Sequence, residues 1–268
     1  MMMWLNGQLL PSAAIRIDPA DRGFTLGDGV FETIRVDHGR AAYLARHLRR
    51  LRDGALVLDL PVPWSDRDLE TAITAVTSAG SLEDAAVRIT LSRGPAARGV
   101  LPAAVSMPTM LITAGPRPPA ASAAHVIIST VTRRNEASPL SRIKTLNYLD
   151  SILARQDAAR RGVDDAILLN SRGQVAEATA ANLFVIRGKN VLTPLVADGA
   201  LPGVMRSVLL ERCGAVECSM HPDAFMTADA AFLSNSLGLR EVGSIDGRPL
   251  ETGSPLFRAI EAEIRQGS

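Results

Sequence analysis

Apolar positions along the chain change period near residue 44, and that change divides strand from helix. Trp4 and Leu5 lead into Asn6-Gly7, a pair favoured in two-residue hairpin turns, so the chain is expected to open as a short strand entering a hairpin. Residues 33–36 read as a strand, Asp37-His38-Gly39 as a turn, and residues 41–44 as the return. Leu44, Leu48, Leu51, Ala55 and Leu58 then recur at helical spacing, and Ser65 is placed to cap a second helix running to about Ser78. Residues 86–92 and 109–114 return to strand character. Two helices on an antiparallel sheet predict an α+β first domain.

Clustered prolines in Gly115-Pro116-Arg117-Pro118-Pro119 can continue neither a helix nor an inner strand, so the boundary is placed there. Residues 1–115 are expected to form an N-terminal α+β domain, 116–123 an interdomain linker and 124–268 a C-terminal domain. Within the latter the pattern predicts a strand over 126–131 and a helix from about Asn147 to Arg161, stopped by Gly162. Further strands are expected at 166–169 and 183–186, a helix after Pro202-Gly203, short strands at 232–234 and Val242, and an amphipathic helix over 255–264. A cleft between two such domains is a common place for a cofactor.

With 268 residues, 47% of them hydrophobic, the chain can bury a sizeable core. A net charge of +1 without long runs of one sign argues against a nucleic-acid partner. Cys213 and Cys218 lack the number and the histidine-rich context of a zinc site, so no metal is expected, and two thiols suit a reducing cytoplasm. The N-terminus does not read as an export signal. The longest uncharged stretch, between Arg98 and Arg117, is interrupted by Pro102, Pro108 and Pro116 and is not read as a membrane span.

The 29 basic residues include only two lysines, Lys144 and Lys189. Lysine, unlike arginine, can lose its proton and condense with an aldehyde. Lys189 lies in the polar turn Arg187-Gly188-Lys189-Asn190, where a solvated charge is the plain reading; Lys144, in Ser141-Arg142-Ile143-Lys144-Thr145-Leu146-Asn147-Tyr148-Leu149, is the candidate nucleophile. Farther on, Glu177 stands among small residues in Val175-Ala176-Glu177-Ala178-Thr179-Ala180-Ala181-Asn182, which would let a flat ligand approach the backbone. Anion donors are available at Arg50, in His47-Leu48-Arg49-Arg50-Leu51, and at the turn into a helix in Leu201-Pro202-Gly203-Val204-Met205-Arg206. Ser236, in Ser234-Asn235-Ser236-Leu237-Gly238, adds a hydroxyl.

Taken in order, these segments and the run Asp21-Arg22-Gly23-Phe24-Thr25-Leu26-Gly27-Asp28-Gly29-Val30-Phe31-Glu32-Thr33 resemble the class IV aminotransferases, the fold-type-IV pyridoxal-phosphate enzymes. That family includes branched-chain aminotransferases, D-amino-acid transaminases and aminodeoxychorismate lyases. The resemblance implies a two-domain α+β fold, with a smaller N-terminal domain, a larger C-terminal domain around a β-barrel-like core, and pyridoxal 5′-phosphate between them. It implies Lys144 as the Schiff-base lysine and proton carrier, Glu177 as partner of the pyridine nitrogen, and Tyr148 as partner of the phenolic oxygen. Arg50, the amides of Val204 and Met205, and Ser236 would receive the phosphate. Phe31, Arg98 and Leu237 would face the substrate, and the family is usually at least a homodimer.

The resemblance implies transamination between an amino acid, of D- or branched-chain type, and a 2-oxo acid. Arg98 matches a carboxylate-binding arginine of D-amino-acid transaminases, although Phe31 replaces a tyrosine common there and Val100 stands where those enzymes carry a histidine. Aminodeoxychorismate lyase is the alternative, supported by the Ser92-Arg93-Gly94 loop and the Ala180-Ala181-Asn182-Leu183-Phe184 run, and opposed by Tyr148 in place of an arginine of some lyases. Binding of the cofactor without turnover would not need Glu177.

Overall fold

A computed structural model describes residues 1–266, and the chain divides into two compact units. The first comprises Met1–Pro118 together with Ile143–Asn147, and the second Pro119–Arg142 together with the described residues from Tyr148 onward. The short segment carrying Lys144 thus belongs with the first unit, although chain order places it well beyond the proline-rich stretch.

In the first unit, β1 (Met2–Leu5) and β2 (Gln8–Pro11) form a hairpin whose turn residues Asn6 and Gly7 both have positive φ, 48° and 99°. Both central positions of a type I′ turn require this. With β3 (Gly29–Asp37), β4 (Arg40–Ala41), β5 (Ala85–Ser92) and β6 (Thr109–Pro116) they make an antiparallel sheet in the order β2-β1-β6-β5-β3-β4. Alternation along β5 and β6 turns Val87, Ile89, Leu91, Met110 and Ile112 into one core. Helices α2 (Leu44–Val57) and α3 (Asp66–Ala79) contribute Leu48, Leu51, Leu69, Ile73 and Val76 to it. Ser65 caps α3 in a reciprocal capping box with Asp68. A further short helix, α1 (Arg22–Leu26), precedes β3 and ends at Gly27, whose φ is 67°.

The second unit holds β7 (Ala124–Ile128), α4 (Leu149–Arg160) and β8 (Asp165–Leu169) as a parallel βαβ unit, with Ala154 and Ala158 packed on Ile127, Ala166 and Leu168. There follow β9 (Val175–Ala178), β10 (Asn182–Arg187), β11 (Asn190–Pro194), α5 (Val204–Arg212) and β12 (Val216–Cys218). The unit closes with β13 (Ala230–Asn235), β14 (Gly238–Ile245), β15 (Arg248–Pro249) and α6 (Pro255–Gln266). The sheet order is β12-β11-β10-β13-β14-β7-β8-β9, with β15 beside β14; the sheet mixes parallel and antiparallel pairs and curls as a half-barrel. Phe184 and Phe232 stack with ring centroids 4.9 Å apart, and Phe257 of α6 packs on Phe232. Strand β7 ends at Ile128 rather than 131, and α4 begins at Leu149 rather than 147, because Asn147 turns its side-chain amide to the carbonyl of Gly27.

Candidate active site

In the first unit, Lys144 is set by backbone pairing. The Phe31 amide donates to the Lys144 carbonyl (2.9 Å), the Leu146 amide donates to the Gly29 carbonyl (3.0 Å), and Val30 bridges Thr145. The segment Ile143–Asn147 is therefore laid along β3, with Ile143 buried in the first core beside Gly54 of α2. A Cβ on Gly54 would lie 3.3 Å from Val30 and 3.5 Å from Ile143, so a glycine lets helix and segment approach closely. Lys144 Nζ sits 4.4 Å from the centroid of the Phe31 ring, and the Arg88 guanidinium lies 3.8 Å from the same centroid.

Arg50 is held nearby in the same unit. Its Nε donates to Glu32 Oε1 (2.7 Å) and its Nη2 to Glu32 Oε2 (2.6 Å), while His47 Nδ1 lies 2.7 Å from Oε2. Burial pushes the Glu32 carboxyl up, but hydrogen bonds and charge from His47 and Arg50 more than offset this and hold it below the usual range. Burial lowers the His47 imidazole below its ordinary range, more than the Glu32 carboxylate raises it. Arg98 is exposed on the loop after β5. That loop is tied down by Arg22, which donates to the carbonyls of Gly99 (2.7 Å) and Val100 (2.8 Å).

In the second unit, Glu177 lies on β9 opposite Leu168 and is buried. Its Oε2 accepts the Leu201 amide at 2.9 Å, and its Oε1 is 3.2 Å from Arg134 Nε. The Leu201 carbonyl accepts from Asn182 Nδ2 (2.9 Å) and from the Gly203 amide (2.8 Å). Asn182 in turn pairs in register with Ser234, two residues before Ser236. Within this unit the structure thus brings Glu177, the start of α5 at Val204 and Met205, and the β13–β14 turn bearing Ser236 and Leu237 into one neighbourhood. Gly203 is the N-cap of α5 and makes no side-chain cap bond. The amides of Val204 and Met205 precede the first intrahelical bond, so the helix itself does not satisfy them. Tyr148 occupies the N-cap position of α4, half-buried.

Arg134 lies in no motif that the sequence analysis singled out. Glu32 and His47 each lie inside a segment of the family-like pattern, yet only the fold reveals that they pair.

Residues 29–245 match the family model for amino-transferase class IV. The chain is 32% identical to a putative branched-chain-amino-acid aminotransferase of Methanocaldococcus jannaschii, covering 92% of this chain and 89% of the relative. It is 26% identical to the D-alanine aminotransferase of Bacillus licheniformis, with 95% and 92% covered. A crystal structure of a putative 4-amino-4-deoxychorismate lyase from Legionella pneumophila superposes with a TM-score of 0.89 at 30% identity, covering 96% of this chain and 97% of that one. A match over most of the chain in both sequence and fold places this protein among the class IV aminotransferases, which use pyridoxal 5′-phosphate.

Proposed function

We propose that the protein is an aminotransferase exchanging an amino group between an amino acid, of D- or branched-chain type, and a 2-oxo acid. The observation that carries this reading is the buried Glu177 carboxylate, held by the Leu201 amide and the Arg134 guanidinium on a strand of small residues. An anion fixed in this way suits the ring nitrogen of a pyridine.

Other features of the second unit suit the same cofactor. A Cβ on Gly203 would lie 2.0 Å from Asn182 Oδ1, so any larger residue at the entrance to α5 must displace that side chain. The first amides of α5 suit a phosphate, and the Ser234 hydroxyl is buried without a hydrogen-bond partner among the described residues. When bound, pyridoxal phosphate supplies an aldehyde for the substrate amine and an electron sink for the charge left at Cα.

In this reading Lys144 would hold the cofactor through Nζ and, as a free amine, would move a proton at the substrate Cα. Glu177 keeps the pyridine nitrogen protonated, and Tyr148 bonds the phenolic oxygen. Arg50, the Val204 and Met205 amides, and Ser236 bind the phosphate. Phe31, Arg98 and Leu237 face the substrate, with Arg98 pairing its carboxylate. A homodimer in the cytoplasm fits the reading; no helix of the described residues is long and apolar enough to cross a membrane.

Aminodeoxychorismate lyase is the second reading, favoured by the likeness to the Legionella protein. Supplying the purified enzyme with D- and L-amino acids, a 2-oxo acid and aminodeoxychorismate separates the two. Formation of a new amino acid supports the transaminase; pyruvate with 4-aminobenzoate supports the lyase.

A further inference from the structure

Glu32 is fully buried on β3, where an ionised carboxylate is costly unless its oxygens are satisfied. Both oxygens are engaged by residues of α2. Oε1 takes Arg50 Nε, and Oε2 takes Arg50 Nη2 and His47 Nδ1. His47 and Arg50 lie three residues apart on α2, which puts both side chains on the face turned to β3. The side-on pair uses two of the guanidinium's five N–H donors and fixes the plane containing the other three. An ionised carboxylate can only accept, so the Nδ1 of His47 donates to Oε2 and holds the carboxylate from the side away from Nε.

Adding stability alone is a weak reason for such an arrangement, because buried ion pairs often do no better than apolar packing. Orientation is what an apolar replacement cannot supply. We infer that Glu32 and His47 are a positioning pair that aligns the Arg50 guanidinium for the phosphate monoester of the cofactor. The inference rests on the reading above in which Arg50 is a phosphate donor. Glu32 and His47 touch neither cofactor nor substrate in this scheme; they act through Arg50. Lys144 lies close enough in the same unit for its charge to bear on His47, so the clamp and the nucleophile share one end of the sheet.

The test compares the affinity of the full-length apoprotein for pyridoxal 5′-phosphate and for pyridoxal, which lacks the phosphate, by fluorescence titration. Wild type, Arg50→Ala, Glu32→Gln, His47→Phe and His47→Asn are compared. Arg50→Ala should weaken the phosphorylated form by a hundredfold or more and pyridoxal by less than threefold. Glu32→Gln and His47→Phe should each weaken the phosphorylated form at least tenfold with less than threefold effect on pyridoxal. His47→Asn, which keeps a donor, should recover most of that loss. If Arg50→Ala changes both ligands equally, the phosphate-donor reading fails, and this inference with it. If Arg50→Ala is selective but Glu32→Gln and His47→Phe weaken both ligands equally or neither, the positioning inference alone is overturned. Should Glu32→Gln not fold, the two His47 variants decide by the same criterion.

Discussion

Asp28 joins two guanidiniums at the start of β3, and replacing it with asparagine removes the charge while nearly preserving the shape. Its Oδ2 accepts from Arg22 Nε and Arg93 Nε, both at 2.8 Å, and its Oδ1 from Arg93 Nη2 at 3.1 Å. The Arg22 and Arg93 side chains are only 5% and 6% exposed, so water does little to solvate either charge. In Asp28→Asn the amide nitrogen opposes an arginine donor, and two buried cations keep only neutral acceptors, the Asn oxygen and the carbonyls of Leu58, Asp59, Gly99 and Val100. One charge-assisted bond is worth about 1.5–3 kcal/mol, and breaking a buried ion pair from one side costs about 3–5 kcal/mol. The expected loss is therefore about 3–5 kcal/mol, a large share of the roughly 5–15 kcal/mol that holds a typical domain. Urea unfolding followed by circular dichroism measures it, each transition being fitted separately because the chain has two compact units.

The pH dependence supplies a second check. Burial pushes the Asp28 carboxyl up, and the hydrogen bonds and charges of Arg93 and Arg22 more than offset this and hold it below the ordinary range. A folded-state value lowered in this way contributes stability above the unfolded value of about 4 and loses it as pH falls through the folded value. The gap between wild type and variant should stay level from pH 7 to about pH 5 and narrow below about pH 4. A loss under about 1 kcal/mol at pH 7, or a gap that widens on acidification, would refute the ion-pair account.

The remaining predictions concern the site. Lys144→Ala should abolish the visible absorbance of bound cofactor and all turnover, while Lys189→Ala, in the turn between β10 and β11, should change neither. Glu177→Gln should retain cofactor but lower kcat more than it raises KM, as read in steady-state kinetics with an α-deuterated substrate; an unchanged kcat under rate-limiting proton transfer counts against the role. Arg98→Lys should weaken amino acids by about 2–3 kcal/mol relative to amines lacking the carboxylate, and equal effects on both would place Arg98 outside the site. Gly203→Ala should displace Asn182 and weaken cofactor binding at least tenfold, measured by equilibrium dialysis; wild-type affinity would mean that the turn yields without cost.

Local signals made several elements readable in advance. The apolar spacing from Leu44 marks α2, and Ser65 as a cap marks the start of α3, because both depend on residues within a few positions. Lys144 stood out through its scarcity and its neighbours. What lines up Lys144 was not legible, since its segment pairs with Gly29 and Phe31 across more than a hundred residues of chain. Strand β3 was read only as residues 33–36 because its pattern does not alternate: Glu32 is buried through its pairing with Arg50 and His47, and period-two reasoning has no place for a buried acid. Arg134 reaches Glu177 from a segment between β7 and α4 with no regular period. Helix α1, five residues long, is too short to display one.

The segment Ile143–Asn147 also sets the order in which the protein can be made. A chain emerging from the ribosome has completed all six strands of the first sheet once Pro116 is free, yet one edge of β3 then lacks the partner that binds Gly29 and Phe31. Ile143, which closes the core over Gly54 and Val30, is still to come. The early residues must wait, with an open strand edge and a gap in their packing, until residues 119–142 of the other unit have been synthesised. The nucleophile therefore arrives on the piece that finishes the first unit, and a truncated or nicked chain ending in the proline-rich stretch would lose structure and chemistry together.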